Sequence, residues 1–167
     1  QALSCYCHYN WIFQVVARFS PIRIFTLDII ATSFSSYFNL LTSSDTKSTI
    51  SAFCNVHLTT EALFNKSFRN CLSKFDFCLP DGAPLAFIAK LLCPSRKVEK
   101  ISGPDIVNQL IRHCADYNKS IFFLGSTNNV LSSLRTNIHS EYPDLQISCF
   151  SPHYAESFTS DDLEKFA

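Results

Sequence analysis

The chain has 167 residues, 47% of them hydrophobic, with 14 basic residues balanced by 14 acidic ones. That is enough apolar sequence for one domain, or most of one. The basic excess that marks a nucleic-acid binder is absent, so no nucleic-acid partner is expected.

In chain order, residues 1–20 are aromatic-rich and contain an apolar run from Trp11 to Ala17 interrupted by Gln14. A bilayer span needs roughly 20 apolar residues, so this run is too short. It also lacks the basic start and small-residue cleavage site of a signal peptide. The segment stays unassigned, and the domain is placed at 21–167. Ile22 to Ile30 (IRIFTLDII) is an apolar run rich in β formers, and residues 33–43 read as a short helix. Thr49 to Cys54 is a strand candidate. Thr59 to Phe64 and Ser67 to Ser73 carry Leu and Phe at helical spacing. Phe75 to Leu79 reads as a short strand and Pro84 to Leu92 as an apolar helix. Pro104 to Tyr117 places Ile106, Leu110, Ile111 and Cys114 on one helical face. Ser120 to Leu124 is a fully apolar strand, Asn128 to Tyr142 a helix, and Leu145 to Phe150 a strand. This alternation predicts an α/β fold, a Rossmann-like, mostly parallel sheet with helices on both faces.

The eight cysteines, at positions 5, 7, 54, 71, 78, 93, 114 and 149, show no CxxC pair and no zinc-ligand spacing. Cys5, Cys7 and His8 sit close together without a second ligand pair. Most of the cysteines read as buried free thiols in a reducing compartment. The chain begins with Gln, contains no Met, and stops at Phe166-Ala167 where another helix starts. A fragment, incomplete at its C-terminus, is therefore expected.

In a parallel α/β sheet, ligands bind beyond the C-terminal strand ends. The turns there are Asn55-Val56-His57, Pro80-Asp81-Gly82, Gly125-Ser126-Thr127 and Ser151-Pro152-His153. Asp81 is either a general base or a helix N-cap, and Gly82 allows a tight turn. Gly125-Ser126-Thr127 is either an anion site at a helix N-terminus or an ordinary capped turn. Ser102-Gly103-Pro104-Asp105, preceded by Arg96, Lys97 and Lys100, is either a phosphate site or a solvated loop. His57 is either a ligand donor or structural. GxGxxG, Walker A and GxSxG patterns are all absent. Their absence argues against a Rossmann oxidoreductase and a serine hydrolase.

The runs FCNVHL, FRNCLSKFDFCLPDGAPLAFIAKLL, EKISGPDIVNQLIRHC, KSIFFLGSTNNVLSSLRTNIHSEYPDLQI and FSPHY resemble the WecG/TagA/CpsF glycosyltransferases. PDG, SGPD, FLGS and YPDL follow in the family's order and spacing across roughly residues 22–166. The resemblance implies an inverting enzyme without a metal or other cofactor. It moves a sugar such as N-acetylmannosamine from a UDP-sugar donor to a polyprenyl-diphosphate-linked acceptor, in cell-surface polysaccharide or teichoic acid synthesis. It further implies a cytoplasmic, peripheral position at the inner face of the plasma membrane, reached through a C-terminal part beyond residue 167, and leaves a homo-oligomer open. Asp81 maps onto the family's proposed base, Asn55 lies near the sugar, and Gly125 and Ser126 lie near the nucleotide. Gly82, Lys100, Gly103 and Asp105 complete the expected substrate-binding set. This chain departs from the family at Phe53, where Thr is common, at Lys100, where Arg is usual, and at Ser126, which replaces a glycine. The family's Pro-Lys-Gln-Glu segment lies beyond residue 167. These departures motivate an alternative, a catalytically inactive nucleotide-binding or interaction module derived from the family.

Overall fold

The computed structural model describes residues 19, 21–43 and 48–153. The apolar run from Trp11 to Ala17, the cysteines at 5 and 7, and the helix start expected at the chain end lie outside the described residues. The chain divides into two compact units, Gln1–Ile106 and Val107–Ala167.

The first unit contains β1 (Pro21–Ile24), β2 (Leu27–Ile30), α1 (Phe34–Thr42), β3 (Ser51–Cys54), α2 (Val56–Phe64), α3 (Lys66–Leu72), β4 (Phe77–Pro80) and α4 (Ala83–Leu92). Helix α5 (Gly103–Asp116) starts in this unit and runs into the second. The second unit continues with β5 (Ser120–Leu124), α6 (Asn128–Glu141) and β6 (Gln146–Phe150).

The first unit holds a four-stranded sheet in the order β1-β2-β4-β3. Strands β2, β4 and β3 run parallel, while β1 is antiparallel to β2. The run IRIFTLDII is therefore a hairpin rather than one element. Its sequence carries the reason. Ile22 and Ile24 are buried and so are Leu27 and Ile29, so the two-residue alternation slips by one at Phe25-Thr26. That slip marks the turn between Ile24 and its partner Leu27. Phe25 takes φ 52° at the first turn position, a left-handed conformation for which glycine is the usual occupant.

All four residues of β4 are buried, as a strand covered on both faces requires. Leu79, Ile29 and Cys54 are fully buried nearby. The ring of Phe77 meets Tyr37 of α1 edge-on, with centroids 6.0 Å apart. Tyr37 is itself buried and donates its hydroxyl to Ser51 Oγ at 2.6 Å, which satisfies its polar tip. Helix α2 begins at Val56, three residues earlier than its apolar spacing suggests, because Asn55 caps it. Asn65 ends α2 and caps α3 with the same residue, accepting from Phe68 N at 3.0 Å.

In the second unit β5 and β6 pair in parallel along their full length. Ile121 and Phe123 of β5 pack with Ile111, Ile138, Leu145 and Ile147. Among the described residues, three of four strand pairings are parallel, so the α/β, mostly parallel class holds. The strands are divided between two sheets rather than one.

All six described cysteines are free thiols, but only Cys54 and Cys78 are buried and Cys71 is exposed. The expectation of mostly buried thiols is corrected accordingly. Cys71 lies on the outer side of the short amphipathic α3, whose Leu72 faces inward. No helix among the described residues is long and apolar enough to cross a membrane.

Candidate active site

Because β2, β4 and β3 are parallel, their C-terminal ends share one edge of the first sheet. Three helices start there: α1 after Ser33, α2 after Asn55 and α4 after Gly82. The segment leading to α5 is stitched to the same edge, with Glu99 N donating to Thr32 O at 3.1 Å and Ile101 N to Pro80 O at 3.0 Å. The sequence therefore places four helix starts around the ends of β2, β4 and β3, and each brings N–H groups that only caps or ligands can satisfy.

Asp81 follows β4 directly, and its N–H donates to Cys54 O at 2.7 Å. That bond extends the β3–β4 ladder by one residue and fixes the Asp81 backbone. Its side chain is half-buried. The N-cap of α4 is Gly82, at φ 95°, and no side chain caps this helix. The N-cap reading of Asp81 therefore falls away. Pro84 in the first turn has no N–H, which leaves the amides of Ala83 and Leu85 beside Asp81 as the unsatisfied donors of α4.

Asn55 aligns with Asp81, because their preceding residues Cys54 and Pro80 are register partners. Asn55 Oδ1 accepts from Leu58 N at 2.9 Å. The side-chain oxygen is thus used as a cap, while the amide Nδ2 of this exposed residue carries two further donors. His57, in the first turn of α2, is exposed.

Lys100 and Asp105 lie 3.9 Å apart, and Ser102 Oγ donates to the same carboxylate. Asp105 thus closes the first turn of α5. Both partners of the ion pair are half exposed or more, so the pair is weak in water and Lys100 can turn to another anion. Gly103 has no positive φ. A Cβ there would meet the Phe53 ring at 3.7 Å, an ordinary contact. Gly103→Ala is therefore expected to change stability by less than about 0.5 kcal/mol. Gly125→Ala, at φ 113°, is expected to cost on the order of 1–2 kcal/mol. Thermal denaturation of both variants checks this contrast.

Gly125 and Ser126 belong to the second unit. Gly125 N donates to Phe150 O at 3.0 Å, and Ser151 Oγ donates to Ser126 O at 2.7 Å. Ser126 sits at φ 62°, and Thr127 caps α6 by accepting from Val130 N. The first unit alone brings together Asn55, Asp81, Gly82, Lys100, Gly103 and Asp105.

Glu99 carries no sequence signal of its role. Its Oε2 accepts from Phe34 N at 2.8 Å, at the start of α1, and its Oε1 pairs with Lys97 at 3.0 Å. The backbone bond to Phe34, then the contact with Lys97, hold its carboxyl below the ordinary carboxylate range. No local motif announces a bond spanning 65 residues. Because the folded-state pKa is depressed, the contribution is present above the unfolded value and is lost as pH falls through the folded one. Wild-type protein is thus expected to lose more melting temperature than Glu99→Gln between neutral pH and a pH below the carboxylate range. Parallel melting curves test this.

Cys54 and Cys78, on neighbouring strands beneath Asp81, share a thiol hydrogen bond. Donation to Cys78, burial, and the nearby charges of Cys78 and Asp81 push the Cys54 thiol up. Cys54 therefore stays protonated at neutral pH and offers no thiolate.

Residues 22–166 match the family model described as the glycosyl transferase WecG/TagA/CpsF family. Among curated proteins, the chain is 26% identical over 125 residues to the N-acetylglucosaminyldiphosphoundecaprenol N-acetyl-beta-D-mannosaminyltransferase of Bacillus spizizenii, covering 75% of this chain and 48% of the relative. It is 28% identical over 105 residues to the Bacillus subtilis protein of the same name, covering 63% of this chain and 41% of that relative. The chain thus spans about half the length, or less, of these relatives.

Proposed function

Because the chain belongs to the WecG/TagA/CpsF glycosyltransferase family, we propose that it carries the catalytic edge of an inverting UDP-sugar transferase. The donor sugar is N-acetylmannosamine or close to it, and the acceptor is an N-acetylglucosamine linked through diphosphate to a polyprenol. The observation that carries this reading is the half-buried Asp81, fixed at the end of β4 beside the uncapped N-terminus of α4. The activity for which the two Bacillus relatives are named suggests the substrate class.

Asp81 takes the proton of the acceptor hydroxyl as that oxygen attacks the anomeric carbon of the donor sugar. The new C–O bond forms on the face opposite the nucleotide. The bond to the diphosphate oxygen breaks, and UDP leaves with the electron pair. Negative charge grows on that diphosphate. The Ala83 and Leu85 amides, the start of α5 and Lys100 are the groups of this edge that oppose it. Asn55 Nδ2, aligned with Asp81, donates to the sugar. A polyprenyl acceptor places the reaction at a membrane surface, with the protein peripheral on its cytoplasmic side.

The test is to incubate the protein with UDP-N-acetylmannosamine and a prenyl-diphosphate-linked N-acetylglucosamine, and to follow UDP release and lipid-linked disaccharide. Acceptor-dependent release of UDP is expected. UDP binding without turnover would favour the inactive nucleotide-binding module instead, and neither binding nor turnover would reject both readings.

A further inference from the structure

The described edge contains a second cationic place that the transfer step above does not use. A cavity of about 350 Å³ opens beside the end of β2, lined by Ala31, Thr32, Ser33, Ser36, Arg96 and Lys97. Thr32 and Ser33 are buried, and the Ser33 and Ser36 hydroxyls lie 2.8 Å apart. Its lining thus combines hydroxyls, which already cap the start of α1, with two cations, side-chain types that hold a phosphate. The segment from 96 to 101 explains the separation of charges. Glu99 N is anchored to the end of β2 and Ile101 N to the end of β4. Arg96 and Lys97 are thereby held at β2, while Lys100 falls on the side of α5 with Asp105. Strands β2 and β4 are neighbours, so the Arg96–Lys97 place lies beside the strand end that bears Asp81.

The proposed reaction needs two such places. Its donor carries one diphosphate and its acceptor another, and both are present when the sugar moves. We propose that the Thr32–Ser36 and Arg96–Lys97 cavity is the subsite for the diphosphate of the prenyl-linked acceptor, distinct from the place of the departing UDP. This assignment rests on the transferase reading above. In the ligand-free chain Glu99 holds Lys97 at 3.0 Å, with the two side chains 37% and 76% exposed. So exposed a pair yields readily to a more highly charged anion.

Titration calorimetry of this chain with two probes, UDP and a farnesyl-diphosphate-linked N-acetylglucosamine, tests the assignment. In Arg96→Ala/Lys97→Ala, affinity for the prenyl probe is expected to fall about tenfold or more, as loss of charge-assisted hydrogen bonds implies. Affinity for UDP is expected to stay within about twofold of wild type, within the range of a distant surface change. Glu99→Gln, which frees Lys97, is expected to tighten the prenyl probe. An unchanged prenyl affinity in the double variant would overturn the proposal, as would an equal loss for both probes, which would make the cavity part of the donor site. Failure of the parent chain to bind the prenyl probe would overturn it too. A parent that binds the prenyl probe but not UDP would refute the transferase reading alone, and the double variant would still decide this one.

Discussion

Replacing Asp81 with Asn is expected to lower kcat by a factor of about 10²–10⁴, the range that a positioned general base contributes, while UDP affinity stays within about twofold. The substitution is nearly isosteric. The backbone bond from residue 81 to Cys54 O does not depend on the side chain, and the cap of α4 is Gly82 rather than Asp81. The fold therefore has little reason to respond, and melting curves should superimpose. The loss would lie in the chemical step, because Asn cannot accept the hydroxyl proton. Turnover by Asp81→Asn equal to that of the parent would remove Asp81 from its role as base.

Phe77→Ala is expected to destabilise the first unit by about 3–5 kcal/mol, the usual range for a buried phenylalanine. Phe77 is 2% exposed in a strand with no solvent-facing residue, and it supports the edge of Tyr37. A domain of ordinary stability has about 5–15 kcal/mol in total, so much of its margin would go. The loss should reach the site as well, since β4 carries Asp81 at its end. Urea denaturation monitored by Tyr and Trp fluorescence is the measurement, and a midpoint unchanged from wild type would contradict the packing described for β4.

The strand ends were legible because each short apolar run stops at a polar or glycine-bearing turn. Asn55, Asp81 and Gly125 all sit where that reading puts them. The hairpin at Phe25-Thr26 was written in the slip of alternation from Ile24 to Leu27, but Phe at a left-handed turn position gives no turn signal, so the run read as continuous. The capping by Asn55 that starts α2 at Val56 was hidden behind apolar spacing that begins at Thr59. What remained out of reach was non-local. Glu99 binds the start of α1 from 65 residues away, and the tie of Ile101 to Pro80 makes a loop motif part of the β4 edge. Asp105 was legible as a residue at the start of a helix, but not the engagement of its carboxylate by Ser102 and Lys100. Spacing shows where a carboxylate stands on the chain but not what it touches.

The central claim is that the edge around Asp81 belongs to a nucleotide-sugar site. Calorimetric titration of UDP into this chain, with and without added magnesium, tests it most directly. The account predicts saturable binding of one UDP per chain with the same affinity in both buffers, since Lys100 and the helix starts meet the diphosphate charge. A folded sample that shows no binding of UDP under either condition would contradict it.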